Sequence, residues 1–564
     1  MKKRFLSWLL VLTMVISLIP STLVTTAFAA NAAGGGVDIS AATPLDDITS
    51  EIADGGVYTI GVTRTEALKV TATDPVTLVL DGVTIATATS PIELADGAQV
   101  TLVVKDDTTN VLTCTATDLT AGNSGRTAGI LVPETASLTI DRASSETGNG
   151  SLTVVGGYAG AGIGSAGQFN SYTENRAPKG GYPTWPHSGM AQNGTLAEGG
   201  QGGRDGMDAP AAGTININSG VLSVTGGPGA AGIGGGLGAE GEAGSAGKNG
   251  TLVEQAGWNY FGGGGGGGGA GGNGGRGGNG GNVTITGGSV TATGGKYTLV
   301  KNRSSVELEP AGIGGGAGGI GGDGGDGGSG IYFKDNRSGG RGGNGQPGYM
   351  NYNGDGGTLT ITGGEVKAVG ILAIGAQYNK VGIQCPNTER DYRRYEGQNA
   401  HGGYGGAGAF ATVPNDTQQA AVVRINGSDN NIDFVDYNGN TLVQNQPKDK
   451  NNKTLYKVVL TVRNKADNTL VSNANVAVAV NKTDAAAKYT YKTVSDLDGK
   501  ATLWLPKGEY ALSYFDVNRS DVGIIQQGDG VTFSVEENNT NVAEVKIGLN
   551  VTASASLPNT NKVY

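Results

Sequence analysis

Few residues in this chain are equipped for acid–base or metal chemistry. There are two histidines, His187 and His401, and two cysteines, Cys114 and Cys385. No Gly-x-Ser-x-Gly, His-Glu-x-x-His or phosphate-loop pattern occurs. The cysteines stand 271 residues apart without CxxC or metal-ligand spacing. They read as two isolated buried thiols, with a Cys114–Cys385 bridge as the alternative. Gly318-Gly-Ile-Gly-Gly-Asp323 fits the opening of a calcium-binding β-roll nonapeptide, which makes Asp323 and Asp326 candidate Ca2+ ligands. Gly325, however, stands where that motif wants a large apolar residue. Arg390, Arg393 and Arg394 are the one compact basic cluster, interleaved with Glu389 and Asp391. They read as a solvated mixed-charge loop or, on an enzyme, as the proton acceptor of a calcium-dependent polysaccharide lyase. Aromatic residues interrupt or flank glycine-rich runs: Trp185, Trp258, Tyr260, Phe261, Tyr332, Phe333, Tyr349, Tyr352, Tyr392 and Tyr395. Flat apolar rings with polar edges suit stacking on sugar rings or on a protein receptor. They equally suit small local cores that cap the glycine runs.

The elements that must position these residues are set by an unusual composition. Of 564 residues 104 are glycine, and 83 of those fall within residues 151–410. Only 16% are charged, and the net charge is −10. That excludes a charged disordered tail, a coiled coil and a basic nucleic-acid binder. Collagen is excluded by 17 prolines and the lack of an uninterrupted Gly-X-Y run. Lys2, Lys3 and Arg4, an apolar stretch from Phe5 to about Pro20, and Ala27-Phe28-Ala29 have the form of a signal peptide over residues 1–29. Its removal leaves 36 basic against 49 acidic residues, a net charge of −13. No later segment has the length and apolarity of a membrane span, so a secreted or cell-surface location is expected.

Short β-branched runs recur from residue 37 onward: Val57–Ile60, Leu68–Thr71, Val76–Leu80, Val83–Ala86, Val100–Val104, Gly129–Val132 and Ser137–Ile140. Their spacing predicts an all-β fold. Leu45–Ala53 is the one segment with the pattern of a short helix. A longer unit then repeats. Alternating strands lead to Ala161-Gly-Ile-Gly164, Ala231-Gly-Ile-Gly234, Ala311-Gly-Ile-Gly314 and a degenerate Val381-Gly-Ile-Gln384, at steps of 70, 80 and 70 residues. One such rung cannot bury its own apolar face, so rungs must stack, as in a parallel β-helix. Long glycine-rich insertions separate the rungs (about 168–212, 237–281, 317–356 and 384–412), and their glycine keeps period three. Period three is that of an extended polyglycine-II-like helix, which has no internal hydrogen bonds and must pair with neighbours. From Tyr456 glycine is sparse and strands alternate cleanly, which predicts a β-sandwich.

Two family resemblances follow. Thr77-Leu-Val-Leu-Asp-Gly-Val-Thr-Ile85, Val100-Thr-Leu-Val-Val104, Ala128-Gly-Ile-Leu-Val132 and Gly150-Ser-Leu-Thr-Val154 resemble the N-terminal rungs of a clostridial family of right-handed β-helix, carbohydrate-binding surface proteins. That resemblance covers about residues 55–165 and the later rungs. It implies a polysaccharide ligand, acidic pectin in the known type, and bound calcium. Thr493-Val-Ser-Asp-Leu-Asp-Gly-Lys-Ala-Thr-Leu-Trp-Leu-Pro-Lys-Gly-Glu-Tyr-Ala-Leu512 looks like the prealbumin-like, collagen-adhesin B-type repeat domains of Gram-positive surface proteins. It implies a stalk or spacer. Where crosslinking members carry a lysine and an acid, this chain has Arg463 and Tyr514. Leu557-Pro-Asn-Thr560 is similar to a sortase signal, but Asn561 follows it and no apolar tail does, so it reads as chance or as a chain cut short of an anchor.

The expected organisation is a signal peptide over 1–29, a right-handed β-helix with glycine-rich insertions over 30–425, a linker over 426–454, a prealbumin-like β-sandwich over 455–550 and a tail over 551–564. The expected function is non-enzymatic carbohydrate binding or adhesion, with a polysaccharide or a host or cell-surface receptor as partner, no nucleic acid and no required cofactor. A calcium-dependent lyase and a structural surface-layer component are the alternatives. Ice binding by repetitive flat faces is a more distant one.

Overall fold

The computed structural model describes residues 36–45, 49–61, 63–168, 172–177, 179–180, 197–250, 252–255, 259–262, 265–301, 304–308, 310–329, 353–370, 374–375, 422–425, 431–435, 447–449, 453–472, 474–480, 491–495, 498–517, 522–523, 532–537, 540–547 and 550–551. Among these residues there is no helix, and so none long and apolar enough to cross a membrane. Three long parallel sheets dominate, with nine, eight and seven strands. The chain visits them in the repeating order first, third, second, which gives a β-helix-like stack of rungs.

Alternation within each strand sends every second residue inward. In-register pairing then aligns those residues along the stack. In the first sheet Leu78, Leu102, Ile140, Ile217, Ile285 and Ile361 lie strand over strand, and each is fully buried. In the second sheet Ile92, Ile130, Ile163, Ile233 and Ile313 form the matching column. Burying each of these side chains contributes roughly 1.5–3 kcal/mol. The third sheet admits a fully buried amide to its core face. Asn110 is fully buried, accepts from the Val83 amide at 2.9 Å and donates to the Ser151 carbonyl at 3.2 Å. It thereby ties its own rung to both neighbours.

The corner between the first and third sheets carries a polar ladder along the stack. Lys105 pairs with Asp81 at 2.7 Å. Asp106 accepts from the amide and hydroxyl of Thr147 and from the amides of Gly148 and Asn149. Burial pulls the Asp106 carboxyl upward, and those four hydrogen bonds more than offset it, leaving it below the usual carboxylate range. Further along, Asn218 donates to Asp141 at 2.9 Å and accepts from Thr286 at 2.8 Å.

Two expectations need correction. Leu45–Ala53 is not helical where described: Glu51–Ile52 is a strand, paired in parallel with Lys69–Val70. The alternation of that segment serves a half-buried strand as well as a helix. The expected fourth Gly-Ile rung, Val381-Gly-Ile-Gln384, lies outside the described residues; the second sheet continues from Ile313–Gly314 to Ile374–Gly375. The stack also runs further than 425, because Asn431–Val435 pairs in parallel with Glu365–Val369, inside the segment read as linker.

Four extended segments, 198–212, 236–250, 265–280 and 315–329, lie beside one another off the second-to-first corner. Their backbones bond at every third residue. Gly200, Gly203 and Gly206 donate to the carbonyls of Gly267, Ala270 and Asn273. Gly269, Gly272 and Gly275 donate to those of Ser245, Glu242 and Ala239. Gly241, Gly244 and Gly247 donate to those of Ile320, Asp323 and Asp326. The 265–280 segment is the most enclosed of the four, and a methyl group added at Gly272 would collide with the Arg204 carbonyl.

Beyond the stack lie a three-stranded and a four-stranded sheet. Val458, Leu460 and Leu503 of the first join Val476, Val478 and Tyr510 of the second in one buried cluster. The first strand of this region, Leu455–Asn464, pairs in parallel with Thr540–Ile547. Lys500–Pro506 uses both its faces. Ala501, Leu503 and Leu505 enter that cluster, whereas Trp504 turns to the last rung. Trp504 is 1% exposed, its ring centroid is 5.6 Å from that of Phe434, and its Nε1 donates to the Ile432 carbonyl at 3.2 Å.

Two predictions follow from packing. Gly164 has φ +140°, and a methyl group there would strike the carbonyl of Gly234 in the next rung; Gly82 has φ +73° but faces open space. Gly82→Ala should cost about 1–2 kcal/mol, the left-handed penalty alone. Gly164→Ala should cost at least about 3 kcal/mol or abolish folding, since stacked backbone cannot move aside. Urea unfolding followed by circular dichroism reads the difference, and equal costs would contradict close rung stacking. Trp504→Ala should cost about 3–5 kcal/mol and expose the last rung, seen as faster amide exchange in Asn431–Val435; unchanged exchange there would contradict a capping role.

Candidate functional site

The described surface offers a cluster of aromatic rings set among charges. It lies where the third-to-second corner meets the glycine segments. After the strand Ser151–Val155, Gly156 and Gly157 turn the chain and raise Tyr158. The Tyr158 amide donates to Ala116 and the Ala159 amide to Pro228, so both neighbouring rungs fix the corner. Ala159 sits at φ +63°, a left-handed conformation unusual for a residue with a β-carbon. The equivalent turn of the following rung uses Gly229, at φ +79°. The strain at Ala159 is of order 1–2 kcal/mol, and it is held at the residue next to a half-buried ring.

Tyr297 opens the antiparallel hairpin of Tyr297–Lys301 and Ser304–Leu308. It stands two rungs from Tyr158, which is about 9.6 Å at strand spacing. Yet the ring centroids are 5.6 Å apart and the planes meet at 84°. The rings therefore lean toward each other over the intervening Pro228–Gly229 turn. Beneath them lie Ala159, Leu237, Leu308 and Ala317, all buried, so the pair has a firm apolar floor. Burial pushes the Tyr158 phenol well above its ordinary range, with a hydrogen bond to Tyr297 and the Glu240 charge adding to the rise. It is a hydrogen-bonding phenol at any physiological pH.

Glu240, exposed on the glycine segment 236–250, extends the cluster. Its charge acts on Tyr158 and also on Tyr172. Tyr172 begins a strand paired antiparallel to Arg204–Gly206. The Arg204 guanidinium lies 4.7 Å from the Tyr172 ring centroid. Arg204 also donates to Glu242 from Nε at 2.9 Å, and Arg176 approaches the same carboxylate at 3.8 Å. The Arg204 hydrogen bond is the main reason the Glu242 carboxyl sits below the usual range. The result is a strip of half-buried rings edged by carboxylates and guanidinium groups. Such a surface stacks the C–H faces of sugar rings and meets their hydroxyls at its rim.

None of these seven residues was among the sequence candidates. Of those, Trp185, Trp258, Tyr332, Tyr349, Tyr352, Tyr392, Tyr395, Arg390, Arg393 and Arg394 lie outside the described residues. Tyr260 is on the strand Asn259–Gly262, opposite Glu254, and its side chain lies outside them. Asp323 and Asp326 sit on the glycine segment 315–329, where their carbonyls accept from Gly244 and Gly247. Among the described residues no three His, Cys, Asp or Glu side chains gather as a metal site. Cys114 is buried in the third sheet, and burial raises its thiol; Cys385 lies outside the described residues. A signal for the strip was present. Gly156-Gly157-Tyr158 and Gly294-Gly295-Lys296-Tyr297 place a tyrosine just after the same strand end in two rungs.

A family model described as a carbohydrate-binding domain-containing protein matches residues 46–170. The matched region holds the N-terminal rungs and Tyr158. No curated protein matches the chain, and no solved structure does.

The Glu242 carboxyl has a depressed folded-state value, so its contribution is complete above the ordinary carboxylate range and is lost as pH falls through the lower value. Glu242→Gln should therefore show a smaller fall in melting temperature between pH 6 and pH 3 than the parent chain. An identical fall in both would mean that the Arg204–Glu242 pair does not stabilise the strip.

Proposed function

We propose that the chain is a non-enzymatic carbohydrate-binding protein of the bacterial exterior. The observation that carries this reading is the carbohydrate-binding family match over residues 46–170. The tyrosine strip beside the matched rungs supplies a surface of the right chemistry. Export rests on the Lys2 to Ala29 pattern, with the mature chain secreted or held at the cell surface, where it serves adhesion. The rungs are read as a right-handed β-helix. The glycine segments are read as a polyglycine-II-type bundle, which the hydrogen bonds at every third residue support. The two C-terminal sheets are read as a prealbumin-like β-sandwich that spaces the binding region from its attachment. Polysaccharide is the proposed partner, and Ca2+ at Asp323 and Asp326 is a candidate ligand that binding need not involve. The aromatic residues of the glycine-rich insertions, Trp185 and Trp258 foremost, are proposed as further contacts.

A glycan array probed with the full chain, with and without chelator, tests this. Binding should appear, and incubation with the bound polysaccharides should release no unsaturated sugars. Sugar release would establish lyase activity instead. A chain that binds no glycan under either condition would overturn the proposal.

A further inference from the structure

The strip constrains the charge of its ligand as well as its shape; this rests on the glycan-binding reading above. Among the described residues each cation beside the rings has a partner. Arg204 and Arg176 both address Glu242, and Lys296, beside Tyr297, pairs with Glu307 at 3.2 Å. Glu240 is different: it is exposed, lies between Leu237, whose amide donates to the Ala159 carbonyl beside Tyr158, and Glu242, whose amide donates to the Arg204 carbonyl beside Tyr172, and forms no ion pair with another described residue. Glu174, on the strand that carries Tyr172, is exposed as well. The strip therefore holds a surplus of negative charge on a chain whose processed form carries −13.

A uronic acid residue placed on these rings would bring its carboxylate toward Glu240 and find each guanidinium already engaged. Like charges at close range disfavour such a complex. A neutral sugar meets no such penalty. Its hydroxyls donate to the Glu240 carboxylate, and its C–H face lies on the tyrosine rings. We infer that the strip of Tyr158, Tyr297, Glu240 and Tyr172 binds an uncharged polysaccharide and rejects uronic acid polymers. This departs from the acidic pectic ligand that the sequence resemblance implies.

Affinity electrophoresis of the full chain tests it. The gels contain neutral polymers (galactomannan, xyloglucan, mixed-linkage glucan), polygalacturonate with Ca2+ or with chelator, or chitosan. At least one neutral polymer should retard the chain, with little change on adding salt. Tyr158→Ala and Tyr297→Ala should each weaken that binding by at least about tenfold, while Tyr158→Phe, which keeps the ring and the fold, retains most of it. Glu240→Lys should introduce polygalacturonate binding. Polygalacturonate binding by the parent chain that the tyrosine variants abolish would overturn the inference and leave the carbohydrate reading intact. So would chitosan binding lost in salt and in Glu240→Gln, or neutral binding that no variant alters. Failure of every polymer to retard the chain would overturn both.

Discussion

The molecule depends on one spacing. Each rung sits on the next at the distance of a β-sheet hydrogen bond, about 4.8 Å, and successive strands keep register. At that distance a backbone that passes directly over another leaves no room for a β-carbon between them. This is why the later second-sheet strands, from which the glycine segments depart, end in Gly164, Gly234 and Gly314, each with a left-handed φ of 131–140°. The same constraint reappears in the glycine segments, where backbones approach backbones directly and carbonyls fill the space a β-carbon would need. Composition, fold and surface all follow from chains packed along their own backbones.

Packing of that kind leaves few places for a large side chain, and those places are informative. Tyr158 and Tyr297 stand where two corners diverge enough to seat a ring, over a floor that includes Leu237 and Leu308. The corner that holds Tyr158 keeps alanine in a conformation its neighbour gives to glycine. A position strained in this way persists only when surrounding contacts determine it fully, and strained positions gather at binding sites. The glycine segment contributes Glu240 and Glu242, so the strip has parts from the rungs and from the glycine bundle alike.

Much of the stack was legible in the sequence. The alternating runs from Val57 to Ile140 correspond to strands, and Ile163, Ile233 and Ile313 pair as their repeat implies. Periodicity reports such elements because each rung must present the same face at the same place. The rung strand at Ile374–Gly375 was not legible, because Ala373 precedes the isoleucine in place of the usual Gly. The site was harder to see for a different reason. Tyr158 and Tyr297 are 139 residues apart in sequence, and Glu240 and Tyr172 belong to excursions whose lengths differ. Their meeting depends on how far each excursion folds back, which no local pattern encodes. Tryptophan and tyrosine in the glycine runs drew notice because their surroundings are bare, yet the rings that come together are those beside strand ends.

The parallel pairing of Leu455–Asn464 with Thr540–Ile547 sets how this region would respond to tension. One of these strands receives the chain from the stack, and the other passes it onward. Tension along the chain pulls the two in opposite directions along their length. The hydrogen bonds between them are then loaded together in shear, whereas strands of a hairpin peel apart one bond at a time. A domain with this pairing resists tension along the chain far better than its equilibrium stability alone would imply.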